Sequence, residues 1–235
     1  ALEWLENGTP DGAIVFADHQ SSGRGRFERK WVTQPSSAIA VSIIVRPDAR
    51  EQQYLPLFSP LAGIALVDVL KHTLQLDAQI KWPNDVLIAG KKVAGLLVEV
   101  NWEGEKPTAV VIGVGVNVAA ASLPPDEGLN FPATCIEDES NFRVDRTFLL
   151  RAIIKEIAGL RRYMTASRLI KTWNRYLAYK NTKVRLRQLS GLNEQVTILG
   201  VSDDGCLKVR DANGEIRRIN AGELEITYNE NVLIV

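Results

Sequence analysis

Between Ala78 and Val118 the chain lays down β-rich stretches almost without pause, and this run limits the fold more than any other feature. Ala78–Trp82 leads through Pro83-Asn84-Asp85 into Val86–Ile88. Ala89-Gly90-Lys91 turns into Val93–Val100, which exits at Glu103-Gly104-Glu105, a hairpin-like signal. Ala109–Val118 is the most apolar stretch and reads as a central strand. Upstream, Ala13–Ala17 is a short strand after Thr9-Pro10-Asp11-Gly12. Residues 39–46 alternate, with Ile39, Val41, Ile43 and Val45 on one face. From Pro60 to Leu76, Leu61, Ile64, Val67, Leu70 and Leu74 recur at three- and four-residue steps, the spacing of an amphipathic helix.

Downstream, residues 120–142 are rich in Pro, Asp, Glu and Asn and read as a surface excursion. A second helix starts at Asp145 as N-cap, with Leu149, Ile153, Ile157, Leu160 and Met164 in one stripe, and a third covers Ser167–Leu177. After Asn181 only short strands remain: Lys183–Gln188, Gln195–Val201, Cys206–Arg210, Glu215–Asn220 and Leu224–Thr227. Asp203-Asp204-Gly205 and Asn213-Gly214 supply tight turns between them. Such a tail predicts a small barrel of the SH3 kind, so the expected division is residues 1–180 and 181–235.

Charge narrows the partners. The 28 basic residues balance 28 acidic ones, whereas duplex binding rests on a basic surplus; nucleic acid is not expected as the main partner. Two cysteines far apart, Cys135 and Cys206, with only His19 and His72, give neither a disulfide framework nor metal-ligand spacing. A reducing, cytoplasmic setting fits. No membrane span is expected, because charge or turn residues interrupt the apolar runs. No signal peptide is evident, and the first residue is Ala rather than Met, compatible with a start downstream of the natural one.

Four stretches carry the candidate chemistry. In Gly23-Arg24-Gly25-Arg26-Phe27-Glu28-Arg29-Lys30-Trp31, glycines permit close backbone approach and arginines offer planar forks for carboxylate or phosphate. The Gly-Lys-Ser/Thr ending of a P-loop is missing. Lys81-Trp82-Pro83-Asn84-Asp85 taken alone is ordinary turn chemistry. Lys92 opens an otherwise apolar strand; it either flanks that strand or meets developing negative charge in low-dielectric surroundings. Gly113-Val114-Gly115 has no third glycine and opens no helix, which argues against a dinucleotide site and for close backbone approach within a strand. Trp31 and Trp82 either stack on a ligand ring or fill core, and Trp173, on a helix, reads as core.

Taken in order, Gly23–Trp31, Lys81–Asp85, Lys92–Glu99 and Gly113–Asn117 resemble the signature of the biotin protein ligase family, whose members attach biotin to carboxylases. The likeness covers nearly the whole chain. It implies an α+β fold: a mixed sheet with helices on one side, related to the class II aminoacyl-tRNA synthetase core, then an SH3-like barrel. It implies ATP and biotin as substrates, Mg²⁺ accompanying the ATP phosphates with no metal ligands on the protein, and a biotin carboxyl carrier protein or domain as partner. Residue by residue, it assigns Gln20, Gly23, Arg24, Arg26, Lys92, Gly95 and Gly115 to biotin. Arg24, Arg26, Arg29, Trp31, Asn84, Lys92, Asn117 and Trp173 go to ATP, with Lys92, Arg26 and Asp85 catalytic.

Three departures accompany the resemblance. Glu28 stands where the family has glycine, placing a carboxylate beside the phosphate site. The family's upstream Ser-Thr-Asn-like biotin element would precede Ala1. No helix-turn-helix precedes the catalytic part, so a DNA-binding repressor role is not expected. The implied chemistry is adenylation of the biotin carboxylate followed by attack of a carrier lysine, with Lys92 and the loop arginines as fixed cations. Rival readings are a lipoate or octanoate ligase of the same fold, a non-catalytic biotin-binding relative, and a nucleic-acid module. A homodimer through an exposed edge strand is compatible with the sequence.

Overall fold

Apolar alternation and short turns build one large sheet. The computed structural model describes residues 1–6, 8–27, 29–124, 131–188, 191 and 193–225. Glu28 and the end of the last expected strand, Ile226 and Thr227, lie outside the described residues. A short helix, α1 (Leu2–Glu6), precedes strands β1 (Ile14–Ala17), β2 (Gly23–Arg24), β3 (Lys30–Trp31) and β4 (Ala38–Val45). A 3-10 turn at Glu51–Leu57 runs into α2 (Phe58–Leu74). Then come β5 (Ala78–Lys81), β6 (Asp85–Ile88), β7 (Lys91–Glu103) and β8 (Lys106–Asn117). The excursion contains α3 (Ile136–Ser140) and leads to α4 (Arg146–Arg162) and α5 (Ala166–Tyr176).

The main sheet has six strands in the order β1-β4-β8-β7-β6-β5, with the two apolar strands β4 and β8 paired inside it. Pairings between these strands are antiparallel; the parallel component is confined to isolated bridges, Ile80 with Leu177 and Lys92 with Ala133. One face carries Ile39, Val41, Ile43 and Val45 together with Ile112, Val114 and Val116, and these pack in the core with α2. α4 and α5 lie against α2 and cover that face, while the short α1 packs Leu5 against Ile44, Ala109 and Val111 on the opposite one. The stretch Glu51–Leu74 is long and apolar enough by composition to cross a membrane, but it is mostly buried in this core. Asp145 caps α4: its Oδ1 accepts from the backbone N–H groups of Thr147 and Phe148, satisfying donors that the first helical turn leaves open.

The tail forms a second antiparallel sheet, β9 (Lys183–Arg187), β10 (Asn193–Val201), β11 (Leu207–Arg210), β12 (Ile216–Ile219) and β13 (Glu223–Glu225), in the order β12-β11-β10-β9-β13. This agrees with a small barrel. Val184, Leu186, Val196, Ile198, Leu207 and Val209 fill its interior, and this interior is continuous with the main core. Two polar anchors fix the junction. Trp82 Nε1 donates to the Gly205 carbonyl at 3.1 Å. Asn174 on α5 accepts from Val201 N–H at 2.9 Å and donates to its carbonyl at 3.1 Å. The junction matters because it brings β13 to the rim of the cavity on the sheet face opposite α2.

Candidate active site

The sheet face opposite α2 has a floor of small residues. Cross-strand pairing sets Asp85 beside Gly95, Gly95 beside Gly115, Gly115 beside Ala40, and Ala40 beside Ala17. A β-bulge makes this row possible. Val86 pairs with Ala94 but Leu87 pairs with Lys92, so Val93 is an extra residue on β7. Lys92 and Gly95, three apart, would face opposite sides of a regular strand; the extra residue turns both to the same side. A Cβ on Gly95 would lie 3.3 Å from Lys92 Nζ, and one on Gly115 would lie 2.6 Å from Trp31 Cε2. The two glycines are therefore places of close approach, and the indole of Trp31 lies over them.

Above this floor opens a cavity of about 910 Å³. Asp85 stands at one end, buried between two ammonium groups: Lys92 Nζ is 2.6 Å from Oδ1 and Lys81 Nζ is 3.0 Å from Oδ2. Burial pushes the Asp85 carboxyl up, but the charges of Lys92 and Lys81 outweigh it and hold the group below the ordinary carboxylate value. Lys81 also lies over the ring of Phe131, 4.8 Å from its centroid. Asn84 is locked to β7, its Nδ2 donating to the Leu96 carbonyl at 2.6 Å while its own carbonyl accepts from Leu96 N–H. The turn residues are thereby fixed rather than free.

The basic stretch is a hairpin, β2 against β3, folded across the cavity mouth. Each described arginine between the strands' ends meets a different element. Arg24 Nη2 pairs with Glu99 on β7 at 3.0 Å, and Arg26 Nη1 donates to Asn84 Oδ1 at 3.4 Å. Arg29 Nη2 pairs with Glu223 on β13 at 2.6 Å. Burial makes the charge on Arg26 costly, an effect that the nearby carboxylates of Glu223 and Asp85 oppose. Trp31 Nε1 is buried and makes no hydrogen bond among the described residues, and Lys92 Nζ lies 5.9 Å from the ring centroid. A ligand acceptor reaching that N–H would recover about 1–3 kcal/mol of desolvation cost.

Most of the residues singled out in the sequence meet here. Gln20, Arg24, Arg26, Arg29, Trp31, Asn84, Asp85, Lys92, Gly95, Gly115 and Asn117 line the cavity. Asn117 is buried and spends one amide hydrogen on the Thr134 carbonyl. Gly23 is not among the lining residues; it is buried in the hairpin, where a Cβ would collide with the Trp31 carbonyl. Trp173 is buried on α5 beside Gly205 and lines a cleft of about 340 Å³ at the junction of the two sheets, which shares Arg26 and Asn84 with the main cavity. Sequence reasoning also missed Glu99, Lys81 and Glu223 as partners of the site's charges; Lys81 and Glu99 at least lie within singled-out motifs, whereas nothing local points to Glu223.

Chemically, five cations, Arg24, Arg26, Arg29, Lys81 and Lys92, and one lysine-held carboxylate surround a groove with a floor of small residues. Such a site suits an extended ligand bearing a carboxylate or phosphate, and stabilises negative charge that develops beside Lys92. Among the described residues no group of three or more His, Cys, Asp or Glu could hold a metal ion.

Comparison with known proteins gives a consistent result. Residues 1–117 match the biotin/lipoate A/B protein ligase family, and residues 183–226 match the biotin protein ligase C-terminal domain. The chain is 34% identical to the bifunctional ligase/repressor BirA of Bacillus spizizenii, over 96% of this chain and 70% of that protein. It is 30% identical to the biotin--[acetyl-CoA-carboxylase] ligase of Mycobacterium tuberculosis, over 91% of this chain and 79% of that one. Among solved structures, the biotin protein ligase of Aquifex aeolicus in complex with biotin and ATP superposes with a TM-score of 0.78 at 25% identity. That match covers 92% of this chain and 89% of the other.

Proposed function

We infer the function from one premise: the chain belongs to the biotin/lipoate A/B protein ligase family. It is an ATP-dependent biotin protein ligase, which forms biotinyl-adenylate and then transfers biotin to a lysine of a carboxylase's biotin carrier domain. The observation that carries the reading is the opposition of Lys92 and Asp85 at 2.6 Å on the floor, beneath the arginine hairpin.

In the residue-level reading, biotin lies beside Gln20 and against the Trp31 indole that covers Gly95 and Gly115, and the triphosphate lies under Arg24, Arg26 and Arg29. Lys92 contacts the biotin carboxylate and the α-phosphate, stabilising the negative charge that grows there as pyrophosphate leaves. Trp31 offers a face and an unspent N–H to the nucleotide, and Asn84 and Asn117 support that side. Mg²⁺ enters with the triphosphate, and no protein-held ion is needed for the roles given to these residues. In the second step Asp85 accepts a hydrogen bond from the carrier amine, while Lys92 polarises the acyl carbonyl. The hairpin keeps water from the adenylate.

The same reading divides the chain at about residue 181, supported by the gap between α5 and β9. It extends to a cytoplasmic setting, supported by two free cysteines, and to self-association through β1, an edge strand that exposes Ile14 and Phe16. ATP–pyrophosphate exchange tests the function directly. Exchange that depends on biotin and not on lipoate or octanoate is expected; exchange driven by lipoate or octanoate instead would move the chain to the lipoyl branch.

A further inference from the structure

We propose that Glu223, on a strand of the C-terminal sheet, is a positioning residue that latches the arginine hairpin across the active site. This rests on the ligase reading above. The carboxylate of Glu223 lines the main cavity and meets Arg29 Nη2 at 2.6 Å, across 194 residues of sequence. Nothing else described on the C-terminal sheet pairs with a hairpin cation.

The latch reaches the rest of the hairpin through backbone bonds. The Arg29 carbonyl accepts from Gly25 N–H at 2.7 Å, and Arg29 N–H donates to the Arg26 carbonyl at 3.2 Å. Holding Arg29 therefore holds Arg26, whose part-buried guanidinium makes a long contact to Asn84 and lies over the Phe27 ring of the same hairpin. At the other end Arg24 is tied to Glu99 on the main sheet. The hairpin is thus strapped at two ends, one on each sheet, with Trp31 beneath it over Gly115. Trp82 and Asn174 set where the far anchor stands, because they fix the C-terminal sheet to the main body.

The pair is exposed enough, with Arg29 at 51% and Glu223 at 21%, that solvent screens it. It suits a fastening that opens and recloses rather than one that carries the fold. Removing such a pair shifts a two-state equilibrium about two- to five-fold. The C-terminal sheet then contributes to chemistry without touching the reacting atoms: it sets how long the hairpin stays shut.

Two measurements on the full chain test this. In the ligand-free protein, trypsin cleavage after Arg24 and Arg26 is followed by mass spectrometry. Glu223→Gln should be cut about two- to five-fold faster than wild type at an unchanged melting temperature. Combining Arg29→Glu with Glu223→Arg should restore the wild-type rate, which neither single change does. Equal cutting of Glu223→Gln and wild type, or failure of the paired swap, overturns the latch. The second measurement is the lifetime of enzyme-bound biotinyl-adenylate. It should shorten by the same factor in Glu223→Gln; an unchanged lifetime would overturn the latch as a control on intermediate retention. If wild type makes no adenylate, the ligase reading fails, and the trypsin result still decides whether the latch exists.

Discussion

Replacing Asp85 by Asn removes the single negative charge between two ammonium groups, and its cost follows from where they sit. The Lys81 side chain is only 9% exposed, and the Lys92 side chain 30%. Lys92 can turn partly toward water, but Lys81 is left as an uncompensated buried cation. Breaking a buried pair in this way costs about 3–5 kcal/mol. In a chain of this size each kcal/mol lowers the melting temperature by roughly 2–4 °C, so Asp85→Asn should fall by about 6–20 °C. Adding Lys81→Met removes the stranded charge and should return most of the loss, since apolar replacement of both partners of a buried pair is often neutral.

The pH dependence carries a sign. The Asp85 carboxyl is held below its ordinary value of 3.8 in the folded chain. Its contribution is thus fully present above that value and disappears as pH falls through the lower folded value. The gap between wild type and Asp85→Asn should be constant at neutral pH and close in acid. Thermal and urea unfolding across that range, on the wild type and both variants, gives the answer. A neutral-pH loss below about 1 kcal/mol, or a gap that widens in acid, would refute the buried-triad account.

Further outcomes follow from other contacts. Lys92→Ala should lower biotin-dependent pyrophosphate exchange by about 10²–10³-fold, and Lys92→Arg should not restore it, because the planar fork cannot reproduce a point charge beside Asp85. Gly115→Ala places a methyl 2.6 Å from a Trp31 ring carbon; exchange should fall and tryptophan fluorescence shift while the melting temperature stays within a few degrees. Arg161 bridges buried Glu51, at 2.8 Å, and Asp11, at 2.9 Å, far from the cavity. Arg161→Ala should cost about 3–5 kcal/mol in urea unfolding and leave the exchange rate of the folded protein unchanged.

Local chemistry made much of this legible in advance. Alternation in residues 39–46 marks the helix-facing side of β4, and Asp145 announces α4 because its carboxylate caps that helix. The Gly-containing turns at Gly104, Gly205 and Gly214 adopt positive φ, which explains their residue type. What pattern could not reveal depends on contacts distant in sequence. The bulge at Val93, which turns Lys92 and Gly95 to one side, comes from pairing with β6 and leaves no mark in a single strand. α3 was invisible because it lies in an acidic run that read as a surface excursion. Glu223 looks like any strand-edge acid until folding brings it to Arg29. Trp173 reads as core from its helix, and only folding places it in a cleft that shares Arg26 and Asn84 with the main cavity.

The central claim is a two-step transfer through an adenylate held between Lys92, Asp85 and the hairpin. A single-turnover chase tests it most directly: chain, biotin and labelled ATP are mixed, the reaction is sampled, and a carrier domain is then added. Bound biotinyl-adenylate should accumulate before the carrier arrives and be consumed afterward, with one AMP released for each lysine biotinylated. AMP appearing without a bound adenylate, or an adenylate that the carrier cannot discharge, would contradict the account.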